Sequence, residues 1–215
     1  MQYQQDLFAP AQEGYTVRAI AAKEAYPFLL NIHYARRIPS ITFAYGLFDY
    51  DQLVGVCTYG KPPSHTLING ICGKEWADHV YELNRLCLLN NKPLEASRLV
   101  GGTFKLLPKP TIIVSFADTA QAHEGVVYQA TNFMYTGLSS KFKDPRVKGL
   151  EHQHHATYAH GLTNAQVVEK YGADNVYFVE RSRKHRYIMF LGSKTDKRSM
   201  LRDLRYKILP YPKNP

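Results

Sequence analysis

From residue 15 to residue 137, apolar and polar positions switch repeatedly between a period of two and a period near 3.6. That switching predicts a mixed run of strands and helices. Tyr15–Ile20 alternates and predicts a first strand. Residues 21–36 are rich in helix formers and set Ala25, Phe28, Leu29 and Ile32 on one face, so they predict a helix. Pro27 within it predicts a late start or a kink, and Pro39 marks the stop beyond it. Thr42–Tyr50 and Leu53–Tyr59 predict two strands joined by turn residues, a hairpin. Gly60–Asp78, with Pro62, Pro63 and Trp76, reads as an irregular insertion. Val80–Leu89 alternates and predicts another strand, and Leu94–Leu107 predicts a helix with Glu95 in its first turn and Pro108 beyond its end. Gly101 and Gly102 lie inside that helix, where each costs about 1 kcal/mol relative to Ala. Such a pair signals close packing against the backbone.

Ile112–Tyr135 is the stretch the chain is organised around. Ile112–Val114 and Phe133–Tyr135 have the character of buried strands, and residues 125–130 read as a short helix between them. Ser115, Asp118, Thr119, Gln121, His123 and Glu124 gather where the first strand ends. Ligands of open α/β sheets bind outside the carboxyl ends of strands, so this is the first place to expect chemistry. Residues 138–161 are polar and read as loop. Thr163 or Asn164 caps a helix to Tyr171. Val176–Glu180 and Tyr187–Leu191 predict a second hairpin with residues 181–186 at its tip. Ser193 and Asp196 form a capping-box pattern before a helix to about Leu209. Arg198, Arg202 and Arg205 would make a stripe along it. The expected fold class is α/β: a mixed central sheet flanked by helices, with an added C-terminal hairpin and basic helix. Residues 1–137 form the expected core, and 138–215 a basic extension packed on it within one structural domain.

Composition narrows the class without changing this picture. The 215 residues are 45% hydrophobic and 21% charged, ordinary values for one globular core. The sequence has no apolar run long enough to span a membrane. Its first residues have neither a basic start nor an apolar core, so no secretory signal is expected. Three cysteines, Cys57, Cys72 and Cys87, fit a reducing cytoplasm and give no disulfide framework or thiolate zinc site. Charge is the informative quantity. The net +9 lies entirely in residues 181–215, which hold 11 Lys/Arg against Asp196 and Asp203. A patch so concentrated suggests a polyanion partner, with a solvated basic tail as the plain alternative.

Several residues carry candidate chemistry. Asp118, just past a buried strand, is either a general base for an amine or the cap of the following helix. Arg85, inside a strand, needs a phosphate, a carboxylate or a cofactor, or else an ion pair with Glu82 or Asp118. By simple alternation Tyr81, Leu83 and Arg85 share one face, and Glu82, Asn84 and Leu86 the other. Ser97 and Arg98 near a helix N-terminus are placed to meet an anion. His33 and Tyr34, followed by Arg36 and Arg37, could stack a flipped base and grip its phosphates. Residues 151–155 and His160 form a histidine-rich run whose spacing matches no zinc motif, so it reads as a solvated loop.

The string from Ser115 to Phe133, SFADTAQAHEGVVYQATNF, resembles the GNAT acyltransferase superfamily. More narrowly it resembles the phage Mom-type proteins, which modify adenine in viral DNA on a GNAT-like fold. The order strand, helix, hairpin, strand, helix, strand, helix, strand agrees with that resemblance. It implies a cytoplasmic enzyme, working in a phage-infected bacterial cell, that adds a carbamoylmethyl group to the N6 amine of adenine and so protects DNA from restriction. The alternative is an ordinary GNAT N-acetyltransferase acting on a protein or small amine. The resemblance implies catalytic roles for Asp118, Arg85, Ser97, Tyr34 and His33, and iron held by His33, Tyr34 and Asp118. The implied donor is acetyl-CoA or a related acyl or glycyl compound. Residues 91–98, NKPLEASR, depart from the superfamily's pyrophosphate-binding loop, which puts conventional acetyl-CoA binding in doubt. The expected DNA contacts are Arg36, Arg37, Arg183, Lys184, Arg186, Arg198, Arg202 and Arg205. The expected partners are double-stranded DNA and a small-molecule donor, with no membrane. The oligomeric state stays open, a homodimer included.

Overall fold

The computed structural model describes residues 14–153, 155–159 and 161–212. Nine strands and seven α-helices alternate along them. Seven strands form one sheet: β1 (Tyr15–Ala19), β2 (Phe43–Asp49), β3 (Gln52–Gly60), β4 (Val80–Leu88), β5 (Thr111–Asp118), β9 (Lys184–Leu191) and β6 (Met134–Leu138), in that spatial order. Neighbours are antiparallel except β4 and β5, which run parallel. A separate two-stranded sheet pairs β7 (Lys143–Val147) with β8 (Val176–Glu180).

Helices cover both faces of the large sheet. On one face lie α3 (Glu95–Leu106) and α4 (Val126–Ala130), over a core that includes Leu83, Leu99, Ile113, Phe133 and Tyr187. On the other lie α1 (Ala22–Pro27), over Val56 and Cys87, and the pair α2 (His65–Cys72) and α7 (Lys194–Asp203), over Val80, Ile112, Ile188 and Met200. α5 (His155–Ala159) and α6 (Asn164–Tyr171) pack on the small sheet around Val147, Tyr158 and Val167. No described helix is long and apolar enough to cross a membrane.

From β1 to β6 the observed order is the expected one with α2 added between β3 and β4. Pro27 ends α1, and the helix widens into a π-helical turn over Phe28–Ile32. Gly102 explains the glycine pair, because a Cβ there would meet Val17 of β1 at 2.7 Å. Gly60–Asp78 is not irregular: Ser64 caps α2, and a 3-10 turn covers Lys74–His79. The polar stretch 138–161 holds β7 and α5 rather than only loop.

The C-terminal part needs a larger correction. β8 and β9 do not form a hairpin, since β8 pairs with β7 while β9 enters the large sheet between β5 and β6. The large sheet therefore takes strands from both sides of the expected 137/138 boundary. The last helix stops at Asp203 instead of Leu209. Beyond it the chain is extended, and Leu209 N–H donates to Tyr135 C=O at 2.9 Å, covering the edge strand β6.

Candidate functional site

β4 and β5 pair only over Val80–Glu82 and Ile112–Val114. Past those residues β4 continues with β3 alone and β5 with β9 alone, so the two strands part like a wedge. A cavity of about 450 Å³ fills the gap, at the carboxyl ends of both strands. His33 and Tyr34 close one side, the residues leading into α4 close another, and Lys184 of β9 reaches in from a third.

A β-bulge sets which side chains meet there. Tyr59 of β3 faces Leu83 and Thr58 faces Arg85, so Asn84 is an extra residue in β4. Thr58 Oγ1 donates to Asn84 Oδ1 at 2.7 Å, and Asn84 Nδ2 donates to Ser40 C=O at 2.8 Å. The extra residue reverses the alternation. Leu83 and Leu86 both pack against the α3 face, while Arg85 turns with Cys87 to the α1 face, where Glu82 also lies. The expectation that Leu83 and Arg85 share a face is corrected by this bulge.

Arg85 makes no ion pair among the described residues. Its Nη1 donates to Asn84 C=O at 2.6 Å, and its buried Nε has no partner. Burial, with Arg37 nearby, pulls the guanidinium's pKa down, against the pull of Tyr34 and Glu82. Burial raises the Glu82 carboxyl, opposed by Lys184 and Arg85. His33, 9% exposed, takes its place where the π-helical turn ends. Its Nδ1 accepts from Ala35 N–H at 3.1 Å. Burial, then Arg85 and His123, lower its pKa to about 4, so the ring is neutral at neutral pH. Tyr34 stacks on it at 4.4 Å between centroids, stays 61% exposed, and meets His123 edge-on at 6.3 Å. Two separate stretches of chain thus place His33, Tyr34 and Arg85 on one cavity.

Asp118 and Ser97 do not line that cavity. Asp118 Oδ1 accepts from Ser182 Oγ at 2.7 Å and from Ala120 N–H at 3.0 Å, and Oδ2 lies 3.6 Å from Lys184 Nζ. Burial alone would raise its pKa, but these contacts outweigh burial and hold it below the usual carboxylate range. It caps the 3-10 turn Thr119–Gln121 and tethers Lys184. Ser97 Oγ donates to Leu94 C=O, and Arg98 lies over the Tyr15 ring. The first turn of α3 also holds the buried Glu95, whose carboxylate accepts from Lys92 N–H and Tyr15 OH.

The expected iron set is not assembled. Asp118 is engaged away from His33 and Tyr34, and no group of three His, Cys, Asp or Glu side chains fit for a metal occurs among the described residues. His154 and His160 of the histidine-rich run, and the N-terminal stretch read for a signal, lie outside the described residues.

The expected DNA contacts divide. Arg36, Arg37, Arg198 and Arg205 are exposed, and Arg202 is exposed but paired with Asp203 at 3.0 Å. Arg205 lies past the end of α7, so the expected helical stripe of three arginines is broken. Arg183 Nε donates to Ser139 C=O, and Lys184 belongs to the cavity. Arg186 stacks over Tyr206 at 3.5 Å and donates to Thr136, which makes it part of the packing.

Glu124 stands out in the cavity wall. Its backbone C=O accepts from the Tyr187 hydroxyl and from Gln129 Nε2, and its Oε2 is buried without a partner. The next residue, Gly125, has φ +76°, and a Cβ there would meet the Tyr187 ring at 2.4 Å. The sequence places Glu124 in the polar group after β5, but its fixation needs β9, whose position local pattern does not show.

The chain is 26% identical over 228 residues to the methylcarbamoylase mom of Escherichia phage Mu, covering 99% of this chain and 90% of that protein. Among solved structures it is similar to a putative acetyltransferase from Acinetobacter baylyi, at 10% identity and a TM-score of 0.48, covering 84% of this chain and 94% of that one. It is also similar to yncA, a putative acetyltransferase from Salmonella typhimurium described with its cofactor acetyl-CoA. That likeness has 9% identity and a TM-score of 0.47, over 84% of this chain and 95% of the other. The Mom protein family matches residues 14–213. The chain belongs to that family.

Proposed function

We propose that this member of the Mom family is a DNA-modifying transferase that places a carbamoylmethyl group on the N6 amine of adenine, protecting the DNA from restriction. The observation that carries the reading is the cavity between β4 and β5. It joins the partnerless Arg85 Nε to the stacked pair His33 and Tyr34, beside the exposed Arg36 and Arg37. A base swung out of the duplex finds an aromatic face in Tyr34, while Arg36 and Arg37 meet its flanking phosphates. The neutral His33 accepts or donates hydrogen bonds without adding charge to an already cationic wall. Arg198 and Arg205 meet the duplex backbone farther out, contributing affinity without sequence preference. A small-molecule donor that carries the carbamoylmethyl group on a leaving group shares the cavity. In this reading Asp118 acts through Lys184, as a positioning residue, and the choice of a carbamoyl-bearing group follows the phage Mu relative's name, methylcarbamoylase.

The test is nucleoside mass spectrometry of DNA from cells expressing the wild type or Arg85→Ala. The expected result is a deoxyadenosine heavier by one carbamoylmethyl group with the wild type, and its loss with the variant. Unmodified DNA from wild-type cells that hold folded protein would refute the proposal.

A further inference from the structure

Two buried side-chain nitrogen or oxygen atoms among the described residues lack a hydrogen-bond partner, Arg85 Nε and Glu124 Oε2. Both residues line the cavity between β4 and β5. Leaving a buried polar atom unmatched is destabilising, and more so for charged groups, so such atoms are rare in folded proteins. One of these is a donor and the other an acceptor. They therefore call for a ligand that offers an acceptor to one wall and an N–H to the other.

The Arg85 guanidinium is anchored, and the backbone that carries Glu124 is fixed. Arg85 is held by its bond to Asn84 C=O, and Asn84 by Thr58 and Ser40. Glu124 is held through its own carbonyl by Tyr187 and Gln129, and by the close fit of Gly125 against the Tyr187 ring. Pre-set groups of this kind position a substrate at little further entropic cost. Adenine presents the matching chemistry: ring nitrogens that only accept, and one exocyclic amine that donates.

We propose that Glu124, rather than Asp118, receives the adenine amine, while Arg85 Nε donates to a ring nitrogen of the same base. This rests on the reading of the chain as an adenine-modifying transferase and names the residue that takes the proton. The N6 lone pair forms a bond to the methylene carbon of an activated carbamoylmethyl donor, one that carries this group on a leaving group. The leaving group departs with its bonding pair, one N6–H bond breaks, and the proton passes to Glu124 Oε2. Asp118 is already occupied by Ser182, Ala120 and Lys184, and lies outside the cavity wall.

The experiment measures modified deoxyadenosine in DNA from cells expressing wild type, Glu124→Gln, Glu124→Asp and Asp118→Asn, with thermal unfolding of each purified protein. Glu124→Gln should lose at least about a hundredfold of product, the scale of a lost general base. It should unfold at the wild-type temperature or above, because a partnerless buried carboxylate has been neutralised. Glu124→Asp should recover part of the product, and Asp118→Asn should keep more than Glu124→Gln does. If wild-type DNA is unmodified, the adenine reading itself fails before Glu124 is tested. If wild-type DNA is modified and Glu124→Gln matches it, the assignment of Glu124 is overturned. A Glu124→Gln protein that is inactive but markedly less stable would also overturn it, since that is the signature of a structural carboxylate.

Discussion

Substitution of Gly125 by alanine probes the part of the cavity wall that the structure holds most tightly. Gly125 has φ +76°, and the added Cβ would meet Tyr187 ring carbons at 2.4 and 2.8 Å and Tyr128 at 3.0 Å. The left-handed backbone costs alanine about 1–2 kcal/mol. Forcing a methyl group into packed aromatic rings adds about 1–3 kcal/mol, because both rings are anchored rather than free ends. The total is about 2–5 kcal/mol, a large part of the stability of a typical domain. Gly149 supplies the control, with φ +84° and nothing within 4 Å of its ideal Cβ. Gly149→Ala should cost only the backbone term of about 1–2 kcal/mol. Urea unfolding of the three proteins at pH 7 gives both differences directly. Because Glu124 precedes Gly125, product formation should fall in Gly125→Ala and persist in Gly149→Ala. Equal stability of the two variants would refute the claim that Tyr187 and Gly125 fix this turn.

His33 gives a pH test. Its folded pKa, lowered from 6.5 to about 4, means that the unfolded chain takes up a proton between those values while the native ring refuses it. Native stability should therefore fall as pH drops through that window, by up to about 3 kcal/mol. His33→Asn keeps an acceptor for Ala35 N–H and should flatten the slope, as urea midpoints at pH 7 and 4.5 would show. Arg186→Lys should cost about 1–2 kcal/mol of stability by removing the Tyr206 stack and the paired bonds to Thr136. Arg198→Ala should leave stability within about 0.5 kcal/mol of wild type. It should lower the salt dependence of DNA binding by about one phosphate contact in a titration at several salt concentrations. Tyr187→Phe removes the hydroxyl under the Glu124 carbonyl and should cost about 1 kcal/mol in the same urea assay.

Local pattern carried the first half of this fold well. Apart from α2, the strands and helices from β1 to β6 announce themselves through periodicity and caps, and the glycine pair correctly signals that α3 touches Val17. What local pattern could not carry were partners distant in sequence. β9 reads as a strand whether it pairs with β8 or slots between β5 and β6, and only the folded sheet distinguishes the two. The bulge at Asn84 is similarly silent, since burial in β4 at Val80, Leu83 and Cys87 is a pattern that simple alternation misassigns. For the cavity, His33, Tyr34 and Arg85 are legible because they stand out chemically in their own segments. Asp118 also stands out, yet its neighbours Ser182 and Lys184 lie far along the chain and take it up as a brace. Glu124 draws little notice in the sequence because what distinguishes it is an Oε2 that folding buries without a partner.

The placement of β9 has a consequence for when the protein becomes active. As the chain leaves the ribosome, β1 to β6 are made first, but β5 and β6 have no common neighbour until Lys184–Leu191 emerges. Until then β5 exposes an unpaired edge, and neither Lys184 nor Tyr187 is present to complete the cavity. Contacts that close such long loops form slowly and leave the partial sheet prone to aggregation. Synthesis must therefore pass β9 before the cavity is complete, so a chain released before that strand lacks Lys184 and Tyr187.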